Sequence, residues 1–150
     1  MQQKIQTSYV MVKPGFANYE KVIEEIEKRL YEAGFKISEE GYIRYNEDMA
    51  KKHYHEHVGK DFYQGLEDYI TSDKAYGMVV EGEDAIAKIR AMIGSTMDPK
   101  KGTIRYDIPA MLGRKPTTPA NVVHASDSQE AAEKEIAIFK KYLESAHKER

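Results

Sequence analysis

The sequence predicts an α+β fold of the ferredoxin-like, split βαβ kind, a four-stranded antiparallel sheet covered by helices. Two observations carry this. The candidate elements follow the order strand, helix, strand, helices, strand, helix, loop, strand, helix, and a single long connection precedes the last strand. The alternative, a doubly wound parallel sheet, would want more strongly apolar strands and short βα loops throughout. At 150 residues the chain is expected to form one domain with one core.

Residues 8–12 form a short apolar run that stops at Lys13-Pro14-Gly15, a buried strand ending in a turn with a lysine at its exit. Over residues 19–33, Val22, Ile23, Ile26, Leu30 and Ala33 recur at helical spacing, and Gly34 is placed to end that helix. Residues 35–45 favour strand, with a bulge or bend expected at Gly41. Residues 47–59 and 61–70 read as two short helices around Gly59-Lys60, too polar to belong to the core. A third strand follows over 76–81, then a helix over 83–93 with Ala85, Ile86, Ile89, Met92 and Ile93 inward, Arg90 between them and Gly94 as its stop. Residues 95–120 hold four of the five prolines and little periodicity, which predicts a long ordered loop or lid. The last strand ends at His124, and the closing helix shows Ala132, Ile136, Phe139 and Leu143 on one face before a charged tail.

Composition removes whole classes of function. A net charge of −2 gives no global field for nucleic acid or an anionic membrane, so any anion site must be assembled from local basic groups. With no cysteine there is no disulfide framework, thiol nucleophile or Cys-ligated zinc. The chain starts without an apolar stretch of signal-peptide length and nowhere runs to about 18 uninterrupted apolar residues, so a cytoplasmic location is expected.

The stretch most suggestive of chemistry is Asn121-Val122-Val123-His124-Ala125-Ser126-Asp127-Ser128, followed by the helical pattern from Gln129. It reads as an imidazole at a strand end, a polar turn and a helix start, with Ser126 and Gln129 at capping-box spacing. A histidine beside the positive end of a helix can take up a phosphoryl group whose charge the helix dipole favours. Lys13, Arg90, Arg105 and His124 all lie at element ends or in the long loop, where their side chains can converge. Together with Thr96 and Asn121 they would suit a polyphosphate. Taken singly, each basic residue is also what an ordinary surface cation looks like. Neither Gly-x-x-x-x-Gly-Lys-Ser/Thr nor Gly-x-Gly-x-x-Gly occurs, so a phosphate site here is of another design. His53-Tyr54-His55-Glu56-His57 invites a metal reading, but it lacks the His-Glu-x-x-His order, and solvent-facing histidines on a polar helix are the favoured account. Tyr54 and Phe62 are either anchors of a small helix or a platform for a base.

Five blocks in order resemble the nucleoside diphosphate kinases: Met-Val-Lys-Pro at 11–14, His-Tyr-His-Glu-His-Val-Gly-Lys-Asp-Phe-Tyr at 53–63, Ile-Arg-Ala-Met-Ile-Gly-Ser-Thr at 89–96, Gly-Thr-Ile-Arg at 102–105 and Asn-Val-Val-His-Ala-Ser-Asp-Ser at 121–128. The resemblance implies a reversible ping-pong transfer, in which a nucleoside triphosphate, typically ATP, gives its γ-phosphoryl to a histidine that passes it to a nucleoside diphosphate. His124 matches that nucleophile. Glu135 looks like the carboxylate that orients it, with Ser126 and Tyr54 as hydroxyl neighbours. Lys13 and Asn121 match groups that hold the ribose, Lys13 also near the transferred phosphate; Arg90, Thr96 and Arg105 match the phosphate clamp, and Phe62 the stacking platform, which tolerates any base because every base has a π-face. The family carries Mg²⁺ on the nucleotide phosphates, with Asp127 placed to reach it through water. A homo-oligomer is implied, a hexamer first and a tetramer second.

Three departures from the family pattern stand out. Gly15 replaces the aspartate usual after Lys-Pro. By comparison with family spacing, the turn between Thr96 and Gly102 is shorter by about two residues and the stretch from Arg105 to Asn121 longer by about six, with Pro116-Thr117-Thr118-Pro119 in the added part. Two rivals to the enzyme follow. One is a catalytically silent nucleotide-binding scaffold of the same fold, which would have no need of His124 with Glu135; the other is a zinc module on His53, His55 and His57. On the enzyme reading, Arg105→Ala should cost turnover rather than fold.

Overall fold

A computed structural model describes residues 4–115 and 122–148. Four strands, β1 (Ile5–Val12), β2 (Lys36–Ile43), β3 (Ala75–Glu83) and β4 (Val123–Ala125), form one sheet in the order β2-β3-β1-β4, with every neighbouring pair antiparallel. This is the predicted split βαβ arrangement. Among the described residues six α-helices accompany it: α1 (Glu20–Glu32), α2 (Glu47–His53), α3 (Tyr63–Ile70), α4 (Ala85–Ile93), α5 (Ile104–Met111) and α6 (Gln129–Lys148).

Strand β1 lies at the centre and shows why its sequence is a continuous apolar run. Successive side chains point to opposite faces. Val10 and Val12 enter a core with Ile26 and Leu30 of α1, Ile89 and Ile93 of α4, and Ile104 and Ile108 of α5. Tyr9 and Met11 enter a second core with Ala50 of α2, Ile70 of α3 and Phe139 of α6. Both faces of the sheet are therefore covered. The short helices read as too polar for the core each contribute buried residues to it, because one inward residue per turn suffices for a helix of two turns.

Three expectations are corrected. The irregularity in β2 falls between Ile37 and Glu39, whereas Gly41 keeps regular register opposite Gly77. The stretch over 95–120 is not all loop: α5 lies within it. Pro109 sits inside that helix and cannot donate to the carbonyl one turn back, and besides Pro109 itself just Ile104 and Ile108 are buried, so proline content masked a real helix. Finally, α6 is capped by Ser128, whose Oγ accepts from the Ala131 amide at 3.0 Å, and not by Ser126.

The backbone delivers the site-bearing segments with care. Gly15 takes φ +89° in the turn after β1, where the Phe16 and Ala17 amides return to the Lys13 carbonyl. Val122, buried and β-branched, adopts φ +74° immediately before β4, a conformation such residues rarely occupy.

Candidate active site

A cleft of 790 Å³ opens where the C-terminal end of α4, the N-terminal part of α5, β4 and the first half of α6 meet the segment joining α2 to α3. His124 stands at its floor. Its Nε2 lies 2.9 Å from Glu135 Oε1, and the same oxygen accepts from Ser126 Oγ at 2.7 Å. Ser126 Oγ in turn accepts the Tyr9 amide at 2.9 Å. Glu135 and Ser126 are buried, while the His124 side chain is 23% exposed, enough to meet a substrate. Because a carboxylate can only accept, the contact assigns the proton of a neutral His124 to Nε2 and leaves the lone pair on Nδ1. A chain of three contacts thus runs from the central strand to the imidazole and fixes both its direction and its tautomer.

The basic groups predicted to converge do so in part. Arg90, Thr96 and Arg105 line the cleft with His124, Tyr54 and Asp127. Arg105 donates to the Gly94 carbonyl at 2.7 Å and the Val123 carbonyl at 3.1 Å, which ties α5 to both the end of α4 and the nucleophile's strand. Burial and the neighbouring Arg90 charge lower its pKa to about 10. Lys13 does not line the cleft itself. Burial, with the Arg105 charge second, lowers its pKa to about 8, so its ammonium belongs to the same field of cations. Such a field, unfavourable to itself, is what a polyphosphate relieves.

Phe62 is 53% exposed at the rim, outside the cleft wall, with its ring 5.3 Å from that of His57 and Lys60 over its face at 5.8 Å. An exposed aromatic face beside a basic group is available for stacking. Ser126 touches Glu135 rather than His124, and Tyr54 packs edge-on to His53 at 4.8 Å. Burial raises the Tyr54 pKa to about 12, so the phenol stays protonated. Asn121 lies outside the described residues, as does Pro116-Thr117-Thr118-Pro119.

Sequence reasoning missed His53. The expectation of a solvent-facing residue fails: its ring packs against Tyr9, Tyr45, Tyr54 and His124, the last at 4.7 Å and 67°. Burial first, and then the charges of His124 and Lys13, push its pKa well below the usual histidine range. The signal was present, since His53 follows Met49 by four residues and Ala50 by three, on the apolar stripe of α2. Buried Tyr9, whose amide anchors Ser126, could not have been found from sequence, because a backbone contact leaves no mark on residue type.

Known proteins are similar to this chain over most of its length. The family model described as nucleoside diphosphate kinase matches residues 6–144. The nucleoside diphosphate kinase of Methanocaldococcus jannaschii is 43% identical over 134 residues, covering 88% of this chain and 91% of the relative. That of Listeria monocytogenes serotype 4b is 40% identical over 137 residues, covering 90% and 88%. Among solved structures, the Aquifex aeolicus nucleoside diphosphate kinase superposes with a TM-score of 0.77 at 29% identity, covering 91% of this chain and 95% of that one. A halophilic nucleoside diphosphate kinase from Halobacterium salinarum, in complex with CDP, gives 0.76 at 35% identity, covering 92% and 88%. Among the described residues no helix is long and apolar enough to cross a membrane. With its sheet, its cation-lined cleft and these relatives in accord, the chain belongs to the nucleoside diphosphate kinase family and is a kinase of nucleoside diphosphates.

Proposed function

We propose that His124 is the phosphoryl carrier in a two-step exchange between nucleoside tri- and diphosphates. The observation that carries this is the 2.9 Å contact of His124 Nε2 with Glu135 inside a cleft lined by Arg90 and Arg105. In the first step the Nδ1 lone pair attacks the γ-phosphorus of a nucleoside triphosphate, and the bond from that phosphorus to the bridging oxygen breaks. The diphosphate leaves with the electron pair. The ring, now carrying phosphoryl on Nδ1 and a proton on Nε2, is cationic, and the Glu135 carboxylate faces the charge as it develops. In the second step an oxygen of a nucleoside diphosphate attacks the same phosphorus and the histidine leaves as the neutral ring. Arg90, Arg105 and Thr96 hold the phosphates in line, Lys13 and Asn121 hold the sugar side, and Phe62 stacks on the base. Tyr54 walls the nucleophile.

The cleft is rich in cations, with Glu56, Asp127 and Glu130 as its acidic oxygen donors away from Glu135, which fits Mg²⁺ carried on nucleotide phosphates with Asp127 reaching it through water rather than a protein cage. When bound, the ion offsets charge on the phosphates. We assign one domain to the whole chain, a cytoplasmic location, and a homo-oligomer, with a hexamer expected over a tetramer; sedimentation velocity distinguishes the two. Incubation with γ-labelled ATP and Mg²⁺ tests the carrier. Acid-labile, alkali-stable label that moves to CDP and is lost in His124→Ala supports the assignment, and nucleotide binding without label overturns it in favour of a silent scaffold.

A further inference from the structure

We propose that His53, His124 and Glu135 together form a binding site for a borderline-soft divalent cation, represented by Zn²⁺, and that occupation of this site silences the nucleophile. The inhibition rests on His124 as phosphoryl carrier; the binding does not.

Three features point to a ligand set. One ring nitrogen from each histidine and one carboxylate oxygen of Glu135 lie within 4.8 Å of one another. At zinc bond lengths of about 2.0–2.2 Å, tetrahedral ligand atoms stand roughly 3.4 Å apart, so the widest pair closes by about 1.4 Å, within the reach of side-chain rotation. Second, among the described residues His53 Nδ1 is buried without a hydrogen-bond partner, as is His57 Nδ1 outside the trio. Buried polar atoms nearly always have one, and an orphaned ring nitrogen on a residue of this trio is accounted for by a cation. Third, the trio sits on the wall of an open cleft, so three protein ligands leave a fourth position for water, the arrangement of zinc sites that are not purely structural.

The donor set also selects the ion. Two imidazoles and one carboxylate suit Zn²⁺ and its neighbours, whereas Mg²⁺ prefers oxygen. The rings of Tyr9, Tyr45, Tyr54 and His124 surround His53 and hold its imidazole in place. Exposed His55, in contrast, has no such cage.

The consequence for the nucleophile follows from electron counting. A neutral imidazole has a single in-plane lone pair, on whichever nitrogen lacks the proton. Coordination uses it: the metal either covers Nδ1 directly, or takes Nε2 and sends the remaining proton to Nδ1. In both cases no lone pair remains for phosphorus, and Glu135 ceases to orient the ring.

The test uses the full chain, free of nucleotide, in a phosphate-free buffer. Calorimetric titration with Zn²⁺ should show one ion per chain. His53→Gln should weaken it by at least about tenfold, and His55→Ala combined with His57→Ala should leave it unchanged. Should His53→Gln fail to fold, ¹⁵N-histidine NMR of the unaltered protein serves instead: Zn²⁺ should move the ring nitrogens of His53 and His124 and not those of His55 and His57. Phosphorylation of His124 by phosphoramidate, which requires neither nucleotide nor metal, should be suppressed by one equivalent of Zn²⁺ and restored by EDTA. Failure to take up zinc, or zinc held by His55 and His57, overturns the site. Zinc on the trio with undiminished His124 phosphorylation overturns the silencing. Absence of label from ATP in zinc-free protein would instead strike the carrier assignment and leave the metal site standing.

Discussion

Glu135 offers a measure of how much orientation of the nucleophile is worth. A single oxygen, Oε1, receives both the His124 ring nitrogen at 2.9 Å and the Ser126 hydroxyl at 2.7 Å. In Glu135→Gln the amide oxygen can occupy that place and accept from both, so the geometry is kept and only the charge is lost. A hydrogen bond to a charged group is worth about 1.5–3 kcal/mol and a neutral one about 0.5–1.5. The difference, about 1–1.5 kcal/mol, corresponds to about a five- to twelvefold slower formation of phosphohistidine. Glu135→Ala removes the contact altogether, about 1.5–3 kcal/mol or roughly 12- to 160-fold. It also leaves the buried Ser126 hydroxyl with only the distant Tyr9 carbonyl, at 3.5 Å, as acceptor, which lowers fold stability by about 1–3 kcal/mol. Rapid-quench measurement of phosphoenzyme formation in a single turnover reads the rate, and thermal unfolding reads the stability. A Gln variant as fast as the parent, or an Ala variant no slower than the Gln variant, would refute the claim that Glu135 acts by holding and charging the imidazole.

Lys13 makes a pH prediction with opposite signs in two assays. Its folded pKa, about 8, lies below the ordinary lysine value of 10.5. The unfolded chain therefore binds more protons between these values, so stability of the nucleotide-free protein gains from this group as pH rises from about 8 to 10.5, whereas nucleotide affinity falls as the charge is lost through about 8. Differential scanning fluorimetry and calorimetric binding across that window check both, and Lys13→Met should flatten both profiles. Arg105→Ala should now cost fold as well as turnover, because its guanidinium holds two backbone carbonyls; a melting temperature equal to the parent's would contradict this. Arg105→Lys should rescue little, since one ammonium cannot reproduce the planar fork. Gly94→Ala should destabilise by about 1–3 kcal/mol, as Gly94 has φ +93° and an added Cβ would sit 2.6 Å from Thr103 Cβ; urea unfolding measures it.

Much of this was legible because burial writes itself into residue type. The apolar run of β1 and the spacing of α1, α4 and α6 are direct imprints of the two cores. The motif blocks pointed to His124, Arg90, Thr96 and Arg105, and the family resemblance added Glu135; all five line one cleft, because chemistry constrains side chains there. Helix α5 was hidden by Pro109 and by having just two inward isoleucines, too few to show a period. The orientation of His53 was obscured by its neighbours: among His55, Glu56 and His57 a polar cluster looked exposed, although the stripe it shares with Ala50 faces inward. The caps at the start of α6 show a different limit. The spacing pointed to Ser126, yet Ser128 takes the cap because Ser126 turns to Glu135 on the following helix.

The placement of the nucleophile on so slight an element has a physical explanation. Strand β4 has three residues, lies at an edge, and is entered through strained Val122. Its pairing with β1 alone would not hold such a segment in place. Additional bonds do: the Lys13 amide to the Val122 carbonyl at 2.8 Å, Arg105 to the Val123 carbonyl, and the Tyr9 amide to Ser126 Oγ. Two of those anchors, Lys13 and Arg105, come from residues assigned to the nucleotide, so the groups that bind substrate also brace the strand that reacts with it. It follows that binding and positioning are not separable here. Substitutions of Arg105 and Glu135 should be non-additive in the rate of phosphohistidine formation, because once β4 shifts, the carboxylate no longer meets the ring it orients.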